Sequence, residues 1–190
     1  VGVGMTNADK IILDLCGGTG AWSKPYKDAG YDVHLITIPN IDVRLYKPPE
    51  NVWGILAAPP CTVFSIAGNW VTRTNEEMID ALSIVDACLR IIIKSKPQWW
   101  ALENPVGKLK QWLGEPAMRF NPWEFGDGTF KKTALWGNFS VPIKTVFEEP
   151  KRIPYSLTPI GRLGGKSLKT KELRSITPAG FAQAFFKANP

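Results

Sequence analysis

The chain has 190 residues, 44% of them hydrophobic and 21% charged, with a net charge of +6, which suits one well-buried α/β domain and is too short for two comfortable ones. Its longest apolar run, around residues 89–93, is cut by Arg90 and Lys94, so nothing approaches the ~20 residues that span a bilayer. Three cysteines (16, 61 and 88) without a C-x-x-C pair, and a single histidine, His34, argue against a disulfide framework, a zinc or other metal site and a His-based triad, and make a reducing cytoplasm the expected compartment.

Residues 1–4, ahead of Met5, read as a vector remnant, and 1–10 as a leader outside the fold. Residues 11–15 are a short apolar run that stops at Gly17-Gly18-Thr19-Gly20. A helix-like stretch follows, then a second buried strand over 33–38 that holds His34 as a structural residue. A third run over 52–58 ends at Pro59-Pro60, and a fourth over 99–102 ends at Glu103-Asn104-Pro105. Between them, Thr74 and Glu77 are spaced as a capping box, and Met78, Leu82, Val85, Leu89 and Ile92 recur on one helical face. Thr177-Pro178 predicts the N-cap and first residue of a last helix carrying Phe181, Phe185 and Phe186. Short apolar strands separated by helical segments predict an α/β fold with a mostly parallel sheet and helices on both faces. The expected organisation is a catalytic core over 11–137, a basic loop or reduced recognition region over 138–174, and a C-terminal helix over 175–190 completing the core.

Ligands of open α/β sheets bind beyond the carboxyl ends of the strands. The glycine turn, Cys61 and Glu103 each follow such an end, so all three are expected on one rim. The turn after Asp14-Leu15-Cys16 lets a backbone approach a cofactor closely, although a plain tight turn reads the same way. It lacks the Gly-Lys-Ser/Thr of a phosphate loop and the full G-x-G-x-x-G fingerprint. Cys61 follows two prolines, whose stiff backbone would hold a reactive thiol in place; packing as a small hydrophobe is the alternative, and it suits Cys88 and Cys16 better. A carboxyl at Glu103, partly desolvated at a strand end, suits a proton donor, or else a cap or ion pair. Lys151, Arg152, Arg162, Lys166, Lys169, Lys171 and Arg174 face one acid, Glu172, in their segment. Either a polyanionic partner or a solvated loop accounts for them.

Together these segments resemble the DNA cytosine-5 methyltransferases. Asp14–Gly20 is similar to the family's Asp-Leu-Phe-x-Gly-x-Gly-Gly cofactor motif, and Pro60-Cys61-Thr62-Val63-Phe64-Ser65 to its Pro-Cys-x-x-Phe-Ser nucleophile motif. Glu103-Asn104-Pro105 stands for Glu-Asn-Val, Asp42-Val43 for Asp-Ile, and Lys132-Thr133-Ala134-Leu135-Trp136-Gly137 for the region of Gln-x-Arg-x-Arg. Ser175-Ile176-Thr177-Pro178 resembles the terminal Asn-Ser-x-x-x-Pro region. The chain departs from the family in having Cys16 for phenylalanine, no acid at Thr37-Ile38, no arginines of the Gln-x-Arg-x-Arg motif, with Lys131-Lys132 the nearest cations, and only residues 138–174 in place of a large recognition domain. The resemblance implies a Rossmann-like core that transfers methyl from S-adenosylmethionine to C5 of cytosine, with Cys61 and Glu103 catalytic. It implies cofactor contacts from Asp14, Cys16, Gly17, Gly18, Thr19, Gly20, Trp22, Asp42, Val43, Pro59, Ser175 and Ile176. Substrate contacts would come from Pro60, Ser65, Asn104, Lys131, Lys132 and Thr133. DNA is the expected partner, and RNA methylation or a catalytically silent nucleic-acid-binding protein on the same core are the alternatives.

Overall fold

The computed structural model describes residues 4–65, 72–152, 173 and 175–190. Six strands form its sheet: β1 (Ile11–Leu15), β2 (Asp32–Ile36), β3 (Val52–Ala57), β4 (Trp99–Pro105), β5 (Met118–Phe120) and β6 (Thr133–Asn138). Their order is β2-β1-β3-β4-β6-β5, with β1, β2, β3 and β4 parallel and β6 antiparallel to both its neighbours. The described helices are α1 (Lys24–Asp28), α2 (Asn75–Ser95), α3 (Lys110–Leu113) and α4 (Ala179–Ala188). This is the α/β fold expected, doubly wound and Rossmann-like.

Position in the sheet explains the strand compositions. The inner strands β1 and β3 are buried on both faces and read as nearly continuous apolar runs. Edge strand β2 carries Asp32 and His34, with Asp32 and Leu35 exposed, Val33 and His34 half-buried, and only Ile36 buried. His34 there meets Asp32 at 3.1 Å and the Tyr46 hydroxyl at 3.5 Å, consistent with a structural residue. Two cores result. One packs Leu13, Leu15, Ile55, Ala57 and Leu102 against Val85, Cys88 and Ile91 of α2. The other packs Ile12, Leu56, Ala101 and Leu135 against Trp22, Tyr26 of α1 and Phe181 and Phe185 of α4. In the second core Tyr26 stacks on Trp99 at 5.4 Å, and Trp22 meets Phe185 edge-on at 5.4 Å. Each such pair contributes about 0.5–1.5 kcal/mol beyond area burial. The Trp99 indole covers Gly54, where an added Cβ would overlap the ring.

Helix α2 begins as its sequence predicts. Glu77 N–H donates to the Thr74 hydroxyl at 3.1 Å, and Thr74 N–H to the Glu77 carboxylate at 3.0 Å, a closure worth about 1 kcal/mol. Its most buried line runs through Ala81, Val85, Cys88 and Ile92, while Met78, Leu82 and Leu89 flank it half-buried.

Several boundaries differ from expectation. β2 ends at Ile36 rather than at 38, because the chain turns away at Ile38-Pro39. β4 runs on to Pro105, since β6 pairs with it as far as Pro105↔Thr133; Glu103 is therefore inside a strand. β5 and β6 have no counterpart among the predicted strands. Thr177 is not the cap of α4: Pro178 takes the N-cap position, and the Asp127 carboxylate accepts from the N–H groups of Gly180 and Phe181, both at 3.1 Å. Within the expected leader, Asn7–Asp9 form a 3-10 turn closed by Thr6 and Asp9, and Lys10 lies over the Trp53 ring at 4.3 Å. Residues 139–152, where described, form neither helix nor strand. No described helix is long and apolar enough to cross a membrane.

Candidate active site

Register brings the three motifs together. Leu15 pairs with Ala57 and Ala57 with Leu102, so the residues that follow them emerge side by side at one edge of the sheet. The chain winds outward from β1 to β2 and then returns to β3 on the opposite side, which makes the β1/β3 boundary a switch point of the topology. A cleft opens there. Asp14, Cys16, Gly17, Gly18 and Trp22 line it from the first motif, and Ala58, Pro59, Pro60 and Cys61 from the second. Glu103, Lys131, Ser175 and Thr177 complete the wall.

The glycine turn is built around Asp14. Its carboxyl is fully buried and receives the Ser23 hydroxyl at 2.5 Å on Oδ2. Gly17 lies so close above it that an added Cβ would overlap the carboxyl group, and Gly20 N–H closes the turn on the Gly17 carbonyl at 2.9 Å. Cys16 adopts a left-handed φ of 58°, an uncommon conformation for a residue with a Cβ. Its N–H donates to the Ile36 carbonyl at 2.7 Å. Burial pushes the Asp14 carboxyl up to about 6, against the lowering effect of the Ser23 bond. Two buried polar atoms of wall residues, Asp14 Oδ1 and Trp22 Nε1, have no hydrogen-bond partner among the described residues. One accepts and the other donates, so they suit a ligand bearing both a cationic and an anionic group.

The segment after β3 is held from several sides. Ala58 N–H donates to the Leu15 carbonyl at 2.9 Å, and buried Asn104 donates Nδ2 to the Pro59 carbonyl at 3.0 Å. Phe64 and Ser65 both donate N–H to the Cys61 carbonyl, at 3.1 and 2.9 Å, while Lys108 N–H reaches the Phe64 carbonyl at 2.8 Å. Phe64 is fully buried and packs edge-on against Trp112 at 5.9 Å. Cys61 is thus a half-buried thiol on a short turn tied to the sheet below it.

The Glu103 side chain is only 17% exposed and lies 3.7 Å from Lys131 Nζ. Burial raises its pKa, and the Lys131 charge opposes part of that rise. The antiparallel β6 explains the contact. Because Pro105 faces Thr133, the residues just before β6 arrive at the carboxyl end of β4, where Lys131 joins the cleft. Lys132, its neighbour, is exposed to solvent.

Other expected site residues lie elsewhere. Thr19 and Gly20 belong to the glycine turn but not to the cleft wall, and Thr19 is exposed. Val43 is buried in the α2-side core. The Asp42 carboxylate is engaged by Arg44, with bonds of 2.7–3.1 Å to its side chain and backbone, and Arg44 also binds Asp80 at 2.7 Å. Ser65 bridges Gly107 instead of lining the cleft, Thr133 is buried at the start of β6, and Ile176 is 37% exposed. Asn104 acts from beneath, through Pro59. Ala58 and Thr177 also line the cleft, although the motifs assign neither to the site; each adjoins a residue that they do assign or quote. Of the basic segment, Lys151 and Arg152 are exposed; Arg162, Lys166, Lys169, Lys171 and Arg174 lie outside the described residues.

No family model matches the chain. The type II methyltransferase M.SacI of Streptomyces achromogenes is 34% identical to it over 53 residues, a stretch that makes up 28% of this chain and 14% of that protein. A solved E. coli chain, described as a putative DNA modification methyltransferase encoded within a prophage, superposes with a TM-score of 0.47 at 16% identity, over 76% of this chain and 52% of that one. In both comparisons this chain spans at most about half of the length of the protein it resembles.

Proposed function

We propose that this chain is an S-adenosylmethionine-dependent methyltransferase that modifies C5 of cytosine in DNA through a covalent bond to Cys61. The observation that carries the reading is one cleft with a firmly tied thiol, Cys61, and a carboxyl of raised pKa, Glu103, on its wall. The local sequence similarity to a type II methyltransferase supports the coarser half of it.

The wall fits the amino-acid end of the cofactor. Asp14 Oδ1 would accept from its ammonium group, and Trp22 Nε1 would donate to its carboxylate; both atoms otherwise remain buried without partners, at a cost of about 1–3 kcal/mol each. When bound, the cofactor supplies an electrophilic methyl group on a sulfonium. Adenine recognition through the Asp42 carboxylate would require it to give up part of its hold on Arg44.

The residues then divide the chemistry. The target base leaves its stack, at a cost of a few kcal/mol. Cys61 gives its proton to solvent and adds as the thiolate through Sγ to C6 of the ring. Glu103 gives a proton to N3, so the electron pair released by that addition collects at C5, the atom to be methylated. After methylation a solvent water takes the C5 proton, its electron pair re-forms the C5–C6 double bond, the C6–S bond breaks to release the Cys61 thiolate, and the N3 proton returns to Glu103. Lys131, at the mouth of the cleft, is placed to meet a phosphate or the base.

Transfer of labelled methyl groups to DNA and to RNA tests the reading, together with covalent trapping on a 5-fluorocytosine substrate. The parent is expected to label DNA and to form the trapped adduct. Cys61→Ser should do neither while still binding the cofactor. Label on RNA alone would move the substrate class, and activity retained by Cys61→Ser would remove the covalent mechanism.

A further inference from the structure

Arg73 precedes the capping box of α2 and has two partners. One guanidinium nitrogen donates to the Thr62 carbonyl at 3.1 Å, and another lies 3.5 Å from Glu77 Oε1. Its side chain is only 19% exposed. The ion pair does not account for that enclosure: at 3.5 Å, with Glu77 47% exposed, such an i,i+4 pair is weak and screened by solvent. Nor does the helix cap, because Thr74 and Glu77 close it without Arg73. What Arg73 adds is a link between the carbonyl next after Cys61 and the first turn of a 21-residue helix packed on the sheet.

Two other ties on this turn act at its ends. Asn104 holds the Pro59 carbonyl and Lys108 N–H holds the Phe64 carbonyl. The Arg73 bond falls between them, at Thr62. A hydrogen bond from a charged donor to a carbonyl is stronger than one between neutral groups, and a guanidinium can serve the carbonyl and Glu77 together through its fork.

We infer that Arg73 is a positioning residue that fixes the placement of Cys61 by clamping the Thr62 carbonyl to the start of α2. The inference rests on the proposed role of Cys61 as nucleophile. A misplacement of 1 Å at a reacting atom costs roughly 100-fold in rate, so the clamp acts on turnover and leaves ground-state binding alone.

The test uses Arg73→Met and Arg73→Lys in the full chain. Amide hydrogen exchange at Phe64 and Ser65, which both bond the Cys61 carbonyl, reads the order of the turn without any activity. Arg73→Met is expected to speed that exchange about tenfold, the change that 1.4 kcal/mol produces. It should lower kcat, and the rate of adduct formation with 5-fluorocytosine DNA, about 10- to 100-fold. KM for DNA and cofactor affinity should stay near those of the parent, and Tm should fall by only a few degrees. Arg73→Lys keeps a charged donor for the Thr62 carbonyl and should recover most of the lost rate. A raised KM with unchanged kcat would make Arg73 a phosphate contact and overturn the inference, as would unchanged exchange at Phe64 and Ser65. A loss of Tm and cofactor binding in step with kcat would overturn it too, by making the role a general structural one. A parent that forms no adduct would sink the proposed function, whereas the exchange measurement would still decide whether Arg73 orders the turn.

Discussion

Replacing Asp14 by asparagine separates what this carboxyl costs the fold from what it does for a ligand. Burial raises the Asp14 pKa from an ordinary 3.8 to about 6. The folded state therefore holds the Asp14 proton more tightly than the unfolded chain does. The stability this contributes is full below about 4 and is lost as pH rises through about 6. Two units correspond to roughly 3 kcal/mol. The amide of Asp14→Asn does not titrate and escapes that loss, but it would set an uncharged group where Oδ1 has no partner, a penalty of about 1–3 kcal/mol. The two terms have opposite signs. At pH 8 the variant should equal the parent or exceed it slightly in stability, and at pH 3, below both pKa values, it should be less stable by about 1–3 kcal/mol. Urea denaturation of both proteins from pH 3 to 8 measures the difference, which should change by roughly 3 kcal/mol in favour of the variant as pH rises. Calorimetry of S-adenosylmethionine at pH 8 should meanwhile show about 10- to 100-fold weaker binding to Asp14→Asn, the loss of one charge-assisted hydrogen bond. A stability difference flat across this range would refute the desolvation argument. Equal cofactor affinity would remove Asp14 Oδ1 as the ammonium acceptor.

Three further outcomes are expected. Glu103→Gln should slow single-turnover methylation by about 100- to 10,000-fold with little change in cofactor affinity; an unchanged rate would leave Glu103 a structural residue. Lys131→Met removes the charge that holds the Glu103 pKa down, so the alkaline limb of kcat/KM set by protonated Glu103 should move to higher pH, and a shift the other way would contradict the pairing. Neutralising Lys166, Lys169 and Lys171 together should weaken DNA binding alike on unrelated sequences and flatten the dependence of log K on log salt by about three, whereas a loss confined to one sequence would indicate base readout.

Much of the site was legible because its pieces are local. A run such as Ile11–Leu15 ending in glycines, two prolines before a cysteine, and Thr74 spaced three residues from Glu77 each constrain backbone over a few residues. Local dihedral preference and hydrophobic period suffice to read them. The same holds for the prediction that the three motifs share one rim, since parallel strands put all their carboxyl ends on one side. Cys88 also reads correctly as core, lying among apolar helix neighbours.

What the sequence by itself determined, then, is the parts: strands, caps, the glycine turn, and the identity of the groups brought to the rim. Only the tertiary structure decided how those groups meet. Lys131 reaches Glu103 because β6 inserts antiparallel between β4 and β5. Arg73 reaches Thr62 across a gap of eleven residues, and Asp127 caps a helix more than fifty residues away. Asp42 is occupied because Arg44 extends on to Asp80 of α2. None of these contacts leaves a periodic trace in the chain, because each is selected by packing and strand pairing between distant segments, whose free energy depends on the assembled sheet and on no short run of residues.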